Sequence, residues 1–182
     1  MAATKHTLVA LVEDRPGVLN RVASLFRRRG FNIESIAVGH CELPHISRMT
    51  IVVDGTTISV EQVRKQLDKV VEVVKLSDIT GDGIVARELA LIKVKTTSGT
   101  RGEIIDIVDV FRAKIVDVAS DSVTIEVAGD EGKVDSLLRL LRNYGIREIA
   151  RTGRIAMTRG GSSLLSTEEK PSKTRAKKQK TS

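Results

Sequence analysis

The chain of 182 residues contains no Trp, one Tyr, three Phe and one Cys. A single cysteine, Cys41, can form no internal disulfide, which excludes the small secreted folds framed by disulfides. The shortage of aromatics argues against sheet-based RNA readers, which stack bases on exposed rings. No apolar run approaches the about 18 residues that mark a membrane helix. HTLVALV, near the start, is short and is followed almost at once by Glu13 and Asp14. It reads as a first strand rather than a secretion signal. The expectation is a cytoplasmic protein with no membrane contact and no specific nucleic-acid partner.

What the chain does have is aliphatic side chains. Hydrophobic residues make up 41%, mostly Val, Ile, Leu and Ala, enough to bury a core, and frequent Val and Ile favour strands. The length suits one medium domain or two small ones of about 70–90 residues. The net charge of +7 is uneven, because residues 161–182 hold six Lys or Arg against two Glu. That segment has little to bury apart from Leu164 and Leu165, so a disordered basic tail is expected there. Such a tail would touch phosphates only weakly.

Periodicity divides the remainder into two similar halves. In the first, HTLVALV (6–12) is a strand, and Val18, Leu19, Val22, Leu25 and Phe26 form a helical stripe. Arg27, Arg28 and Arg29 suit the helix end, and Gly30 should stop it. FNIESIAV (31–38) follows as a strand, with Ile33 and Ile36 off strict alternation, which points to a bulge or a twist. SRMTIVVDG (47–55) is the next strand. A helix through Val60, Val63, Leu67 and Val70 has Ser59 and Gln62 at capping-box spacing, and VEVVKLSDI (71–79) is the last strand. TGDG (80–83) reads as a linker.

The second half repeats the order: ELALIKVKT (88–96), a helix through Ile104 and Phe111, AKIVDVA (113–119), DSVTIEVAG (121–129), a helix through Val134 and Leu141, and a closing strand over 146–157. Gly17 stands nine residues before Phe26, as Gly102 does before Phe111. The fold class expected is α+β, with two tandem ferredoxin-like βαββαβ domains at 5–80 and 84–158 and a tail at 161–182. Each domain would have one open sheet face, and units this small should pack that face or an edge against a partner.

EDRPGVL (13–19) is the stretch that invites a ligand. It matches neither a phosphate loop nor a dinucleotide fingerprint. Unpaired N–H groups at the start of the helix attract a carboxylate. Asp14 could meet an ammonium, and Asn32 offers both a donor and an acceptor. That set suits the two charged ends of a free amino acid. A second reading stands beside it, in which Asp14 caps the helix and Pro16–Gly17 only shapes the turn. His40, Cys41, Glu42 and His45 in HCELPH match no strong zinc spacing and read as a polar hairpin loop. Glu13, Asp14 and Asp54 form no convergent catalytic set, so no catalytic residue and no metal site are assigned.

RPGVLNRVASLFRRRGFNIESIAVG, ISRMTIVVDG, ELALIKVK, VFRAKIVDV and GIREIARTGRIAMTRG, in that order, resemble the regulatory small subunits of acetolactate synthase over about residues 5–160. The first half is similar to an ACT domain, the second to the family's own C-terminal ACT-like domain. The resemblance implies a non-catalytic chain with no cofactor of its own. Its partner would be a large catalytic subunit that carries thiamine diphosphate, Mg2+ and FAD. That subunit joins two pyruvates, or pyruvate and 2-oxobutyrate, on the way to valine, leucine and isoleucine. The small subunit would activate it and confer feedback inhibition by valine or another branched-chain amino acid. The resemblance also implies a homodimer through the ACT domains, with the effector between them. The effector residues it implies are Asp14, Gly17, Asn32 and Gly39, with Asp14 where the family often carries Asn. TTSGTRGE (96–103) has no counterpart to Asn32, so the effector is expected at the first domain. A free-standing amino-acid sensor acting on another enzyme or on transcription is the alternative.

Overall fold

A computed structural model describes residues 5–55 and 60–161. Ser59, the expected cap, and the tail from residue 162 onward lie outside the described residues. The first unit runs β1 (Lys5–Glu13), α1 (Val18–Arg29), β2 (Ile33–His40), β3 (Ile46–Asp54), α2 (Val60–Leu67) and β4 (Val73–Asp78). The second runs β5 (Ile84–Lys95), α3 (Arg101–Val110), β6 (Lys114–Val118), β7 (Ser122–Gly129), α4 (Glu131–Leu141), β8 (Ile146–Arg151) and β9 (Ile155–Thr158). The first sheet has the order β2-β3-β1-β4; the second has β6-β7-β5-β8, with β9 pairing to β5. The pairings described are all antiparallel. These are the two βαββαβ units that the sequence predicts.

Strand alternation fills one face of each sheet. Leu8, Ala10 and Val12 of β1 and Met49, Ile51 and Val53 of β3 pack against Val22, Leu25 and Phe26 of α1 and against Leu67 of α2. The second core repeats the device with Ala90, Ile92 and Val94 of β5 beneath Ile104, Val108, Val134 and Leu137. Phe26 and Phe31 meet edge to face, with ring centroids 5.9 Å apart. The irregularity predicted in β2 is present as a register shift against β3 between Ile33 and Ser35.

Two differences from the sequence reading concern the open faces. The closing strand is not continuous. It breaks at Thr152–Arg154, where the Thr152 N–H donates to Leu89 O and the Thr152 hydroxyl accepts from Leu89 N–H. After the break β9 pairs with Ile84–Arg87, a stretch that lengthens β5 beyond its predicted start at residue 88. The resulting ribbon lies on the open face of the first sheet, where Ala156, Ile84 and Ala86 cover Val9 and Ile79. The first sheet therefore covers this part of its face from within the chain, where a partner on that face or on an edge was expected. Double cover also explains why Thr7 to Val12 are all buried: a strand with both faces packed needs no alternation.

Candidate functional site

β1 delivers the chain to the turn Asp14–Gly17, and α1 leaves from it. Gly17 is the helix N-cap, at φ 89° and ψ −14°. That left-handed conformation strains any residue with a Cβ, which gives the glycine its reason. No side chain caps α1, and its first turn contains no acid. Asp14 is therefore not the cap. Its N–H donates to His45 O at 2.8 Å, and its Oδ2 lies 3.2 Å from His40 Nδ1. The helix start is left with N–H groups that a carboxylate suits.

Glu72 braces this turn from below. Its backbone oxygen accepts from Glu13 N–H at 2.9 Å, and its buried carboxylate receives both Arg15 and Arg21. Its own backbone N–H, followed by Arg21 and Arg15, holds that carboxyl below the usual range, against the upward pull of burial. Sequence reasoning passed over Glu72. The available signal was an acid set among valines, in Val70-Val71-Glu72-Val73-Val74.

The structure divides the four residues that the sequence singled out. Asp14, Gly17 and Gly39 gather at one end of the first unit, because β2 ends beside the turn and His40 reaches Asp14. Asn32 is exposed at the opposite end, before β2 begins and after α1 has ended. A helix of 12 residues is about 18 Å long, so Asn32 and Gly17 of one chain cannot hold the same amino acid. Gly39 also lines an apolar cavity of about 330 Å³ between β2, β3 and the ribbon, with Arg48, Arg87, Ile155 and Met157 among its walls. Burial lowers the Arg48 guanidinium pKa there, and Arg48 donates to Ala156 O at 2.7 Å.

The other sequence candidates are dispersed. HCELPH forms the connection between β2 and β3, where Cys41 Sγ approaches Ile46 O at 3.4 Å. Among the described residues, no three His, Cys, Asp or Glu side chains group as metal ligands. Arg27, Arg28 and Arg29 project at the exposed end of α1, where Arg29 donates to Gln66. Among the described residues, no helix is long and apolar enough to cross a membrane.

Comparison with known proteins follows the same two-part division. Residues 8–75 match the family described as an AHAS small subunit-like ACT domain, and residues 87–160 match the one described as the small subunit of acetolactate synthase. A probable acetolactate synthase small subunit from Archaeoglobus fulgidus is 58% identical over 86% of this chain and 98% of its own length. The acetolactate synthase small subunit of Mycolicibacterium smegmatis is 55% identical, over 85% of this chain and 91% of its own. The chain belongs to the acetolactate synthase small-subunit family. A crystal structure of the Thermotoga maritima small subunit agrees in fold, with a TM-score of 0.80 and 44% identity over 87% of this chain and 99% of that one. The two units are thus the ACT domain and the ACT-like domain of this family, and the chain is a regulatory ACT-domain protein. The turn at 14–17 lies within the first matched segment, as do Asn32 and Gly39.

Proposed function

We propose that this chain is the regulatory subunit of an acetolactate synthase. It raises the activity of a thiamine-dependent catalytic subunit in the cytoplasm and makes that subunit sensitive to valine or another branched-chain amino acid. The observation that carries the effector reading is the start of α1: a left-handed glycine, no side-chain cap, and an acid on the preceding turn that does not cap the helix. The N–H groups there receive the effector's carboxylate, and Asp14 receives its ammonium.

The separation of Asn32 from Gly17 calls for a second copy. β2 is an edge strand, and two such edges laid antiparallel would bring Asn32 of one chain to the turn of the other. The effector then completes an interface between two ACT domains, and its occupancy favours one dimer geometry. By linkage, a tenfold change in the active population needs only about 1.4 kcal/mol of differential binding. A few hydrogen bonds at an interface supply that.

The test is reconstitution. Acetolactate formation by the catalytic subunit, with and without this chain, is followed through valine, leucine and isoleucine titrations. Stimulation, together with inhibition that disappears in Asn32→Ala, supports the reading. Inhibition unchanged in Asn32→Ala rejects this placement of the site. Absence of both stimulation and inhibition rejects the role and leaves the free-standing sensor.

A further inference from the structure

We propose that Gly153 and Arg154, on the turn between β8 and β9, are positioning residues for the effector site. They grip β2, whose two ends carry Asn32 and Gly39, and so let the second unit set how the first responds. The inference rests on the effector reading above and concerns its regulation.

The grip is close and specific. A Cβ built on Gly153 would lie 2.1 Å from the carbonyl oxygen of Ile36 and 2.5 Å from its carbon. Both partners are backbone, so no side chain can swing aside. Beside it the Arg154 N–H donates to Ser35 Oγ at 2.8 Å. The Arg154 guanidinium pairs with Glu131, at the start of α4. Glu131 also takes Lys5 Nζ of β1 at 2.7 Å, and Lys5 turns back to Glu34 of β2 at 3.1 Å. Glu34, Ser35 and Ile36 are thereby held on successive residues by the second unit and by a lysine that it anchors. The hydrogen bond to Glu131, and after it the one to Glu34, raises the Lys5 pKa, and the bond from Lys5 holds the Glu131 carboxyl below the usual range.

Location gives the grip its consequence. It falls at the β2 bulge, where pairing to β3 loses register between Ile33 and Ser35. A bulged edge strand is held least firmly by its own sheet there. Asn32 precedes the bulge by one residue, and Gly39 follows the gripped segment by three. A contact that fixes the middle of an extended segment fixes where both ends lie. Plain adhesion between units would predict changes in stability only. A positioning contact predicts changes in the effector response at unchanged basal activity.

The experiment uses the full chain and three variants: Gly153→Ala, Arg154→Gln and Ser35→Ala. Hydrogen exchange over residues 33–40 is measured on the chain alone. Acetolactate formation with the catalytic subunit is then titrated with whichever of valine, leucine and isoleucine inhibits it in the presence of the unaltered chain. Gly153→Ala should shift the half-inhibitory concentration about tenfold and Arg154→Gln about threefold, each with faster exchange over β2 and unaltered stimulation without the effector. Identical inhibition curves in both variants, or unaltered exchange over 33–40, would overturn the proposal. If Gly153→Ala does not fold, Arg154→Gln and Ser35→Ala decide it by the same readouts. If the unaltered chain responds to none of valine, leucine and isoleucine, the effector reading fails. Exchange over β2 then decides whether the grip exists: faster exchange in the variants sustains it and unaltered exchange removes it.

Discussion

The two units share one strand order and differ in how they treat the turn after the first strand. In the second unit the turn closes on itself. Thr97 N–H donates to the Thr100 hydroxyl, Thr100 N–H to the Thr97 hydroxyl, and Arg101 N–H to Thr97 O. Arg101 also ties the β6–β7 hairpin through Ala119 O and Ser120 O. The corresponding turn in the first unit has a glycine at its cap and an aspartate directed to His40. Neither helix start is capped by a side chain, so the two turns differ in the bonds around the cap: threonines tied to each other in the second unit, a left-handed glycine beside an aspartate in the first. Topology alone would make the two sites equivalent; the side chains at the turn distinguish them.

The comparison can be broken at its cores first. Phe26 is 1% exposed, whereas its counterpart Phe111 is half-buried. Phe26→Ala should cost about 3–5 kcal/mol and Phe111→Ala clearly less, measured by denaturant unfolding of the full chain. Equal losses would mean that the two cores are packed alike. Glycines give the next contrast. Gly17→Ala should cost about 1 kcal/mol and abolish the effector response, because φ stays positive. Gly102→Ala, inside α3 with open space where its Cβ would lie, should gain up to about 1 kcal/mol.

Charge effects are smaller. Glu131 has its carboxyl depressed in the folded chain, so its contribution is complete above the ordinary glutamate pKa of about 4.3 and is lost as pH falls through the lower folded value. Thermal unfolding followed downward from pH 7 should therefore show an acid-side loss that Glu131→Gln reduces. The smallest effect is expected on the open face of the second sheet. There Lys93 and Glu148 pair at 3.7 Å in solvent, and a double-mutant cycle should return less than about 1 kcal/mol.

Periodicity exposed the strand and helix order because each element buries one stripe, and the Ile33–Ile36 irregularity announced its bulge. The turn at Asp14–Gly17 was legible as the entry to a helix because Pro-Gly before a helical stripe constrains the backbone locally. Three features were not legible in this way. The ribbon of Ile84–Arg87 with β9 depends on contacts between segments 70 residues apart, which no local pattern records. Glu72 needed Arg15 and Arg21 beside it before a lone acid among valines gained a role. The distance between Asn32 and Gly17 is a property of α1 as a rigid spacer, invisible to a motif that counts residues without measuring along the helix.

β5 runs unbroken for 12 residues, its first four joined to β9 and its last eight to β7. A cut ahead of it would separate two modules recognisable in the alphabet but not independent in water. The amino-terminal fragment would bare Val9 and Ile79 as a sticky stripe, and the carboxyl-terminal fragment would keep a two-stranded flap with nothing to lie on. Fragments made this way should clump when expressed singly and recover when mixed, so the ribbon laid on the first sheet makes the pair one indivisible piece of machinery.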